Sequence, residues 1–328
     1  MREQENADKV RRRSGGHPEP RGSLGKTGIS GILNIDKPPH VTSHDVVQRI
    51  RRASGQRRVG HAGTLDPLAT GVLLVCLGKA TRVAEYLVAG RKRYRARAVL
   101  GVATDTYDRE GTITSQVPCP GFGVSDLESA LDGFKGRIEQ LPPMYSAVKV
   151  GGRPLYQLAR RGISVERKAR SIEIYEICLV EVALPEIVFE VRCSRGTYVR
   201  SLAHDLGQAL GCGAHLAELA RLSSGSFRLD DAVSLEVAER EFAAGSWCHL
   251  LHRLDEALLA FPAATLTMED ARSVGHGRRV RLSAAVEGSL CRAYGPEGEL
   301  VALLRRENGA GFWRPHKVFR PSPPAPEV

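Results

Sequence analysis

Residues Val72-Leu73-Leu74-Val75-Cys76-Leu77 form an unbroken apolar run of strand length, directly behind a glycine-bracketed loop, Gly60-His61-Ala62-Gly63-Thr64-Leu65-Asp66-Pro67-Leu68-Ala69-Thr70-Gly71. Such a run reads as a buried strand, so the loop that feeds it is anchored in core structure. The loop presents one carboxylate, Asp66, and no second acid occurs from Gly60 to Lys79. Paired-carboxylate hydrolysis and an oxygen-rich cation site both need more acids than this stretch supplies. A solitary acid on a core-anchored loop suits covalent or proton-transfer chemistry. Gly60, Gly63 and Gly71 permit angles or close approaches that a side chain would forbid, and Pro67 fixes the torsion after Asp66. The same residue types are also ordinary turn formers, and on chemistry alone the loop has a purely structural reading too.

The remaining pattern is that of an α+β protein. Gly31 to Ile35 reads as a short strand followed by a Pro38-Pro39 turn, Ser43 as a helix cap, and Val46, Val47 and Ile50 as one helical face. Arg49, Arg51, Arg52, Arg57 and Arg58 make the approach to the loop basic. Tyr94 to Leu100 alternates as a half-buried strand, and Ser125 caps a helix using Leu127, Ala130, Leu131 and Phe134. Strands Ile172 to Val182 and Ile187 to Cys193 flank a turn at Pro185, and a helix through Leu202, Leu206 and Leu210 ends at Gly211. Hairpins and helices mix without the regular alternation of a doubly wound sheet, which leaves an α+β catalytic region with a mainly antiparallel sheet and flanking helices. After a linker at Phe261-Pro262, short strands with glycine turns (Gly288 to Ala293, Leu300 to Leu304, Phe312 to Phe319) form a small β-rich module.

The 328 residues carry a formal charge of +10, which favours a polyanionic partner such as nucleic acid. Residues 1–29 read as a disordered basic tail, contributing only +3, and 321–328 as a flexible proline-rich end. No apolar run reaches the ~20 residues needed to span a bilayer, and no signal-peptide core is visible, so the expected location is the cytoplasm. Seven scattered cysteines without a Cys-x-x-Cys pair favour reduced thiols over disulfides or zinc. The glycines around Gly78-Lys79 miss phosphate-loop spacing, and Gly211-Cys212-Gly213 lacks the third glycine of a dinucleotide site. His249 and His252 read as a helix face and not as metal ligands.

The glycine-bracketed loop, continued by Val72 and Leu73, resembles the active-site motif of the TruB branch of pseudouridine synthases. Further matches follow in order: Asp36-Lys37-Pro38, Arg93-Tyr94, Thr104-Asp105-Thr106 with Asp108, Pro143-Met144-Tyr145-Ser146-Ala147, Ser194-Arg195-Gly196-Thr197-Tyr198-Val199-Arg200, and Gly211-Cys212-Gly213-Ala214-His215-Leu216. One departure is His40, where the family usually has glycine. The resemblance implies a pseudouridine synthase fold over 30–262, a PUA-like RNA-binding module over 263–320, and a monomer that needs neither cofactor nor metal. It implies isomerisation of uridine 55 in the tRNA T-loop. It also implies roles: Asp66 as the attacking acid, Arg200 as its ion partner, Tyr94 stacking on the flipped base, His61 filling the vacated space, and Leu219 sandwiching the base. Lys37, Tyr198 and Asp105 are further candidates, Asp105 either contacting a nucleotide or capping a turn. Alternatives from the same motif are a synthase acting on ribosomal RNA, or a tRNA-folding protein whose catalysis is secondary.

Overall fold

The computed structural model describes residues 28–282, 285–307 and 311–319; the expected tail up to residue 27 and the end at 321–328 lie outside the described residues. The chain begins with β1 (Gly31–Lys37), α1 (Ser43–Ser54), β2 (Val59–His61) and β3 (Thr70–Leu77), the last containing the apolar run. Next come α2 (Ala84–Ala89), β4 (Lys92–Leu100), the hairpin β5 (Val102–Thr104) and β6 (Ile113–Gln116), α3 (Val124–Asp132) and β7 (Gly136–Gln140). A small hairpin of β8 (Lys149–Val150) and β9 (Arg153–Pro154) leads through α4 (Leu155–Ala159) to a long one, β10 (Arg170–Ala183) and β11 (Glu186–Cys193). Then follow α5 (Val199–Ala209), β12 (Ala214–Ser224), β13 (Phe227–Arg228), β14 (Val233–Ser234), α6 (Leu235–Ala244) and β15 (Leu251–His252). The terminal module holds β16 (Ala263–Thr265), α7 (Met268–Gly275), β17 (Val280–Arg281), β18 (Leu290–Tyr294), β19 (Leu300–Arg306) and β20 (Phe312–Val318).

Eleven strands join one mixed sheet whose main order is β14-β1-β3-β12-β4-β11-β10-β7. Most neighbours are antiparallel, but β3 and β12 run parallel where Ala220 faces Thr70 and Arg221 faces Gly71. That junction fastens the end of the Asp66 loop to the centre of the sheet. The apolar run in β3 is continuous because both of its faces are covered. Leu73, Val75 and Leu77 enter a core with Val46, Ile50, Ala96 and Leu202, whereas Val72, Leu74 and Cys76 enter a second core with Leu87, Leu303 and Phe319. Leu303 and Phe319 belong to the terminal module, whose five-stranded sheet joins this second core. Lys317 pairs with Glu85 at 2.7 Å and Arg82 donates to the Val318 carbonyl across the same seam.

β4 shows the alternation read from its sequence: Tyr94, Ala96, Ala98 and Leu100 are buried, while Arg93, Arg95 and Arg97 face out toward Glu190, Glu186 and Glu218. Two helix caps differ from expectation. Thr42 caps α1, because its hydroxyl accepts from Asp45 N while Asp45 accepts from Thr42 N; Ser43 is freed to turn inward. α3 begins one turn position earlier than Ser125, since Asp126 reaches back to the Gly123 amide at 2.9 Å. The seven cysteines are free, and burial pushes the Cys76 thiol up to about 12 and Cys193 to about 11. His249 and His252 meet Ser246 O and Glu256 respectively, and no cluster of three metal-ligating side chains occurs among the described residues.

α5 lies tightly on β12 because Gly207 has no side chain: an added Cβ would collide with the Gly213 and Ala214 backbone. Gly207→Ala should therefore destabilise the protein by about 1–3 kcal/mol through overpacking, read as a lower urea midpoint with unchanged slope. An unshifted midpoint would show that α5 can move off the sheet at no cost.

Candidate active site

Two buried cations hold the Asp66 loop in place, and neither has a carboxylate within ion-pair distance among the described residues. Lys37, at the end of β1, is fully buried and donates to Pro38 O (2.8 Å), Val41 O (2.8 Å) and Pro67 O (3.1 Å). Arg221, at an inward position of β12, donates from Nε to Val72 O (2.6 Å) and from its terminal nitrogens to Gly63 O (3.1 Å) and Thr64 O (3.5 Å). Burying a charge is tolerable when hydrogen bonds replace its water, and here the loop's own carbonyls do so. Ser43 adds a two-way link, accepting from Leu65 N at 2.8 Å and donating to Leu65 O at 3.0 Å. Asp36 accepts from Gly71 N at 3.1 Å. Gly71 sits at φ 92°, and a Cβ there would strike the Arg221 backbone, so the glycine is a condition of the β3–β12 junction. His40, which stands where the family pattern has glycine, takes φ 63° and donates its amide to Pro67 O at 2.9 Å.

The carboxylate so presented meets Arg200 from the first turn of α5. Arg200 Nε lies 2.8 Å from Asp66 Oδ2, and a terminal nitrogen lies 3.0 Å from Asp108 Oδ2. The guanidinium also donates to Thr106 O and Tyr145 O. The side chains of Arg200 and Asp108 are 6% and 4% exposed, whereas that of Asp66 is 32% exposed, so only one carboxylate of the three-residue bridge is open to a ligand. Asp108 is fixed in turn: Thr106 Oγ1 donates to its Oδ1 at 2.6 Å, and Glu110 N donates to the same oxygen at 3.1 Å. Tyr107, at φ 64°, stacks on His204 with ring centroids 3.9 Å apart. His204 lies one helical turn beyond Arg200 on α5, so one helix positions the arginine and braces the loop that carries its second partner.

Desolvation pushes the Asp66 carboxyl up from the ordinary aspartate range, and the adjacent Arg200 charge opposes that rise. A raised carboxylate is a stronger base and nucleophile once ionised. Tyr94 is buried on β4 opposite Arg221, and desolvation pushes its hydroxyl up, with Arg221 opposing and Asp66 close enough to add to it. Desolvation and then the Arg221 charge pull His61 down, which favours a neutral ring whose Nδ1 has no partner among the described residues. Tyr198 precedes α5; its amide donates to Gln140 Oε1 at 2.8 Å and its carbonyl accepts from Gln140 Nε2, while burial pushes its hydroxyl up. Leu219, on the face of β12 that carries Arg221, accepts at its carbonyl from Thr70 Oγ1 at 3.4 Å.

The structure thus gathers Asp66, Arg200, Tyr94, Lys37 and Tyr198 within electrostatic reach of one another, with His61 and Leu219 on the flanking strands. Asp105 stands apart: it is exposed, and its carboxylate accepts from Thr112 N at 2.8 Å, closing the β5–β6 turn. Of the two open options for Asp105, the turn is the one its contacts serve, and the buried acid of that motif is Asp108. Two functional positions escaped the sequence reading. Asp108 was visible only as a turn residue. Arg221 carried a signal, an arginine at an inward position of the alternating run Leu219-Ala220-Arg221.

Comparison with known proteins fits this geometry. The model of the TruB family pseudouridylate synthase N-terminal domain matches residues 51–199, that of the tRNA pseudouridylate synthase B C-terminal domain 200–260, and that of the tRNA pseudouridine synthase II C-terminal region 261–320. The tRNA pseudouridine synthase B of Moorella thermoacetica is 44% identical over 306 residues, covering 89% of this chain and 100% of that protein. That of Syntrophotalea carbinolica is 48% identical over 249 residues, covering 76% and 81%. A chain in the crystal structure of a Cbf5-Nop10-Gar1 complex superposes with a TM-score of 0.69 at 30% identity, covering 89% of this chain and 85% of that one. The protein belongs to the TruB family of pseudouridylate synthases.

Asp108→Asn keeps the side-chain shape but removes the charge that faces Arg200, and the uridine isomerisation rate should fall about tenfold or more, the equivalent of roughly 1.4 kcal/mol or more in the barrier. Single-turnover kinetics with unchanged RNA affinity would show it; a wild-type rate would mean that Asp66 alone fixes Arg200. Lys37 gives a pH signature. Desolvation lowers its pKa from 10.5 to about 8, so the folded state carries a cost below pH 8 that is relieved as pH climbs toward 10.5. Against Lys37→Met, the wild type should gain up to roughly 3 kcal/mol across that window. Urea unfolding at the two ends would find a pH-independent difference if Lys37 keeps its ordinary pKa.

Proposed function

We propose that the protein isomerises uridine to pseudouridine at position 55 in the T-loop of tRNA, with Asp66 as the attacking group. The observation that carries this reading is the single open carboxylate held by a buried arginine whose other acid partner is closed to solvent. The match to the tRNA pseudouridine synthase B of Moorella thermoacetica over that protein's whole length supports a tRNA substrate. No helix among the described residues is long and apolar enough to cross a membrane. The expected setting is the cytoplasm.

The target uridine must leave its stack to meet Asp66, at a cost of a few kcal/mol. The neutral His61 ring suits the space the base vacates, and Tyr94 and Leu219 suit its two faces. Attack by Asp66 frees uracil from its N1–C1′ bond; the base turns and rejoins C1′ through C5, and the bond to Asp66 breaks as this one forms, returning the free carboxylate. The C5 proton is then removed, with Tyr94 placed to assist, and N1 ends protonated. Atoms and electrons balance within the nucleotide, so the reaction consumes no co-reactant. Lys37 and Arg221 hold the loop so that the carboxylate does not have to be ordered at the moment of reaction.

Asp66→Asn should abolish pseudouridine formation in a T-arm transcript while leaving RNA affinity within about threefold of wild type, because binding rests on basic groups elsewhere. Chemical mapping of the modified nucleotide in tRNA and in ribosomal RNA fragments makes the measurement. Normal turnover by the variant would sink the nucleophile assignment, and modification confined to ribosomal RNA would sink the substrate.

A further inference from the structure

A cavity of about 270 Å³ opens between the Asp66 and Asp108 loops and the strands β4, β11 and β12; of the residues given a role above, Leu219 lines it, and its basic rim has no part in the chemistry just described. Leu68 and Leu219 are among its apolar lining, and His40, Arg95, Arg97 and Arg109 supply its polar rim. Leu68 lies two residues beyond Asp66 and Arg109 is the neighbour of Asp108, so the cavity shares both loops with the catalytic carboxylate. Its charge is unevenly spent. Arg97 is held by Glu186 at 2.9 Å and by Glu218, itself a lining residue, at 3.4 Å; Arg95 leans to Glu190 at 3.3 Å. Arg109 has an exposed side chain with no hydrogen bond or ion pair among the described residues, although its amide is fixed to Leu216 O at 2.9 Å. A fixed backbone with a free guanidinium is a donor kept for something outside the protein.

His40 supplies a second, independent observation. A non-glycine residue at φ 63° is strained, and a strained backbone beside a reactive group is a reason to look for a function in its side chain. The imidazole is exposed and makes no hydrogen bond or ion pair among the described residues, and Glu218 is the one acid in the cavity's lining. Two unspent donors over an apolar floor match a phosphodiester with its flanking nucleoside.

We propose that this cavity takes one backbone phosphate of the substrate RNA next to the everted uridine, with Arg109 gripping the phosphate and His40 closing the rim. The proposal rests on the reading of the protein as an RNA-modifying enzyme and adds a named subsite to it. Binding, not turnover, tests it. A T-arm hairpin is titrated against wild type, Arg109→Gln and His40→Gly over a range of salt, and then as a set of hairpins each carrying one neutral methylphosphonate linkage. Arg109→Gln should weaken Kd about three- to tenfold and flatten the salt slope by about one. One linkage beside the target should cost the wild type affinity and cost Arg109→Gln none. His40→Gly should weaken binding while raising Tm, since glycine adopts this backbone without strain; a merely structural His40 would lower Tm instead. Equal sensitivity of wild type and Arg109→Gln at every linkage, or an unchanged salt slope, overturns the subsite. A hairpin that shows the linkage pattern but is never isomerised would leave the subsite standing and remove the proposed reaction.

Discussion

The structure depends on solvating two buried cations with backbone carbonyls. Lys37 and Arg221 reach the catalytic loop from β1 and from β12, and between them they occupy Gly63 O, Thr64 O, Pro67 O and Val72 O. A loop carbonyl left unpaired at this depth would be costly, and so would either cation without its carbonyls. Each requirement is met only by the other, and the loop therefore has one low-energy arrangement. Carboxylates would have neutralised the cations more directly, but they would also have placed further negative charge around Asp66.

Arg200 works on the opposite principle. It is placed between two carboxylates, one sealed and one open, so that its orientation is set by Asp108 independently of what happens at Asp66. Desolvation raises the Asp66 carboxyl and the guanidinium restrains it. The two effects act on one side chain whose position the ion pair fixes. Asp66 can loosen its hold on Arg200 without releasing the arginine, because Asp108, Thr106 O and Tyr145 O retain it.

Much of this was legible in the residues. The unbroken run Val72 to Leu77 announced a strand covered on both sides, and the alternation in Tyr94 to Leu100 announced one covered on a single side; both are so. The mixed α+β architecture and the β-rich end followed from the same periodicities. Caps were harder, because Thr42 and Ser43 are equally able to cap a helix and only Asp45 decides between them. The Thr-Asp-Thr-x-Asp segment hid its important member for a similar reason: both aspartates are turn formers, and burial against α5 is a tertiary fact. Arg221 was missed because arginine is usually counted as surface, although its place in an apolar alternation said otherwise. His40 was noticed as a departure from pattern, but its left-handed backbone appears only in coordinates.

The second core joins the terminal module to the rest of the chain. Leu303 and Phe319 share one apolar cluster with Val72, Leu74 and Cys76, through residues such as Val83 and Leu87 that follow the strand. A module that looks appended in the linear sequence thus completes the second core behind the sheet. Shedding it would open one side of that shared cluster to water, which ties its inheritance to that of the domain it packs on.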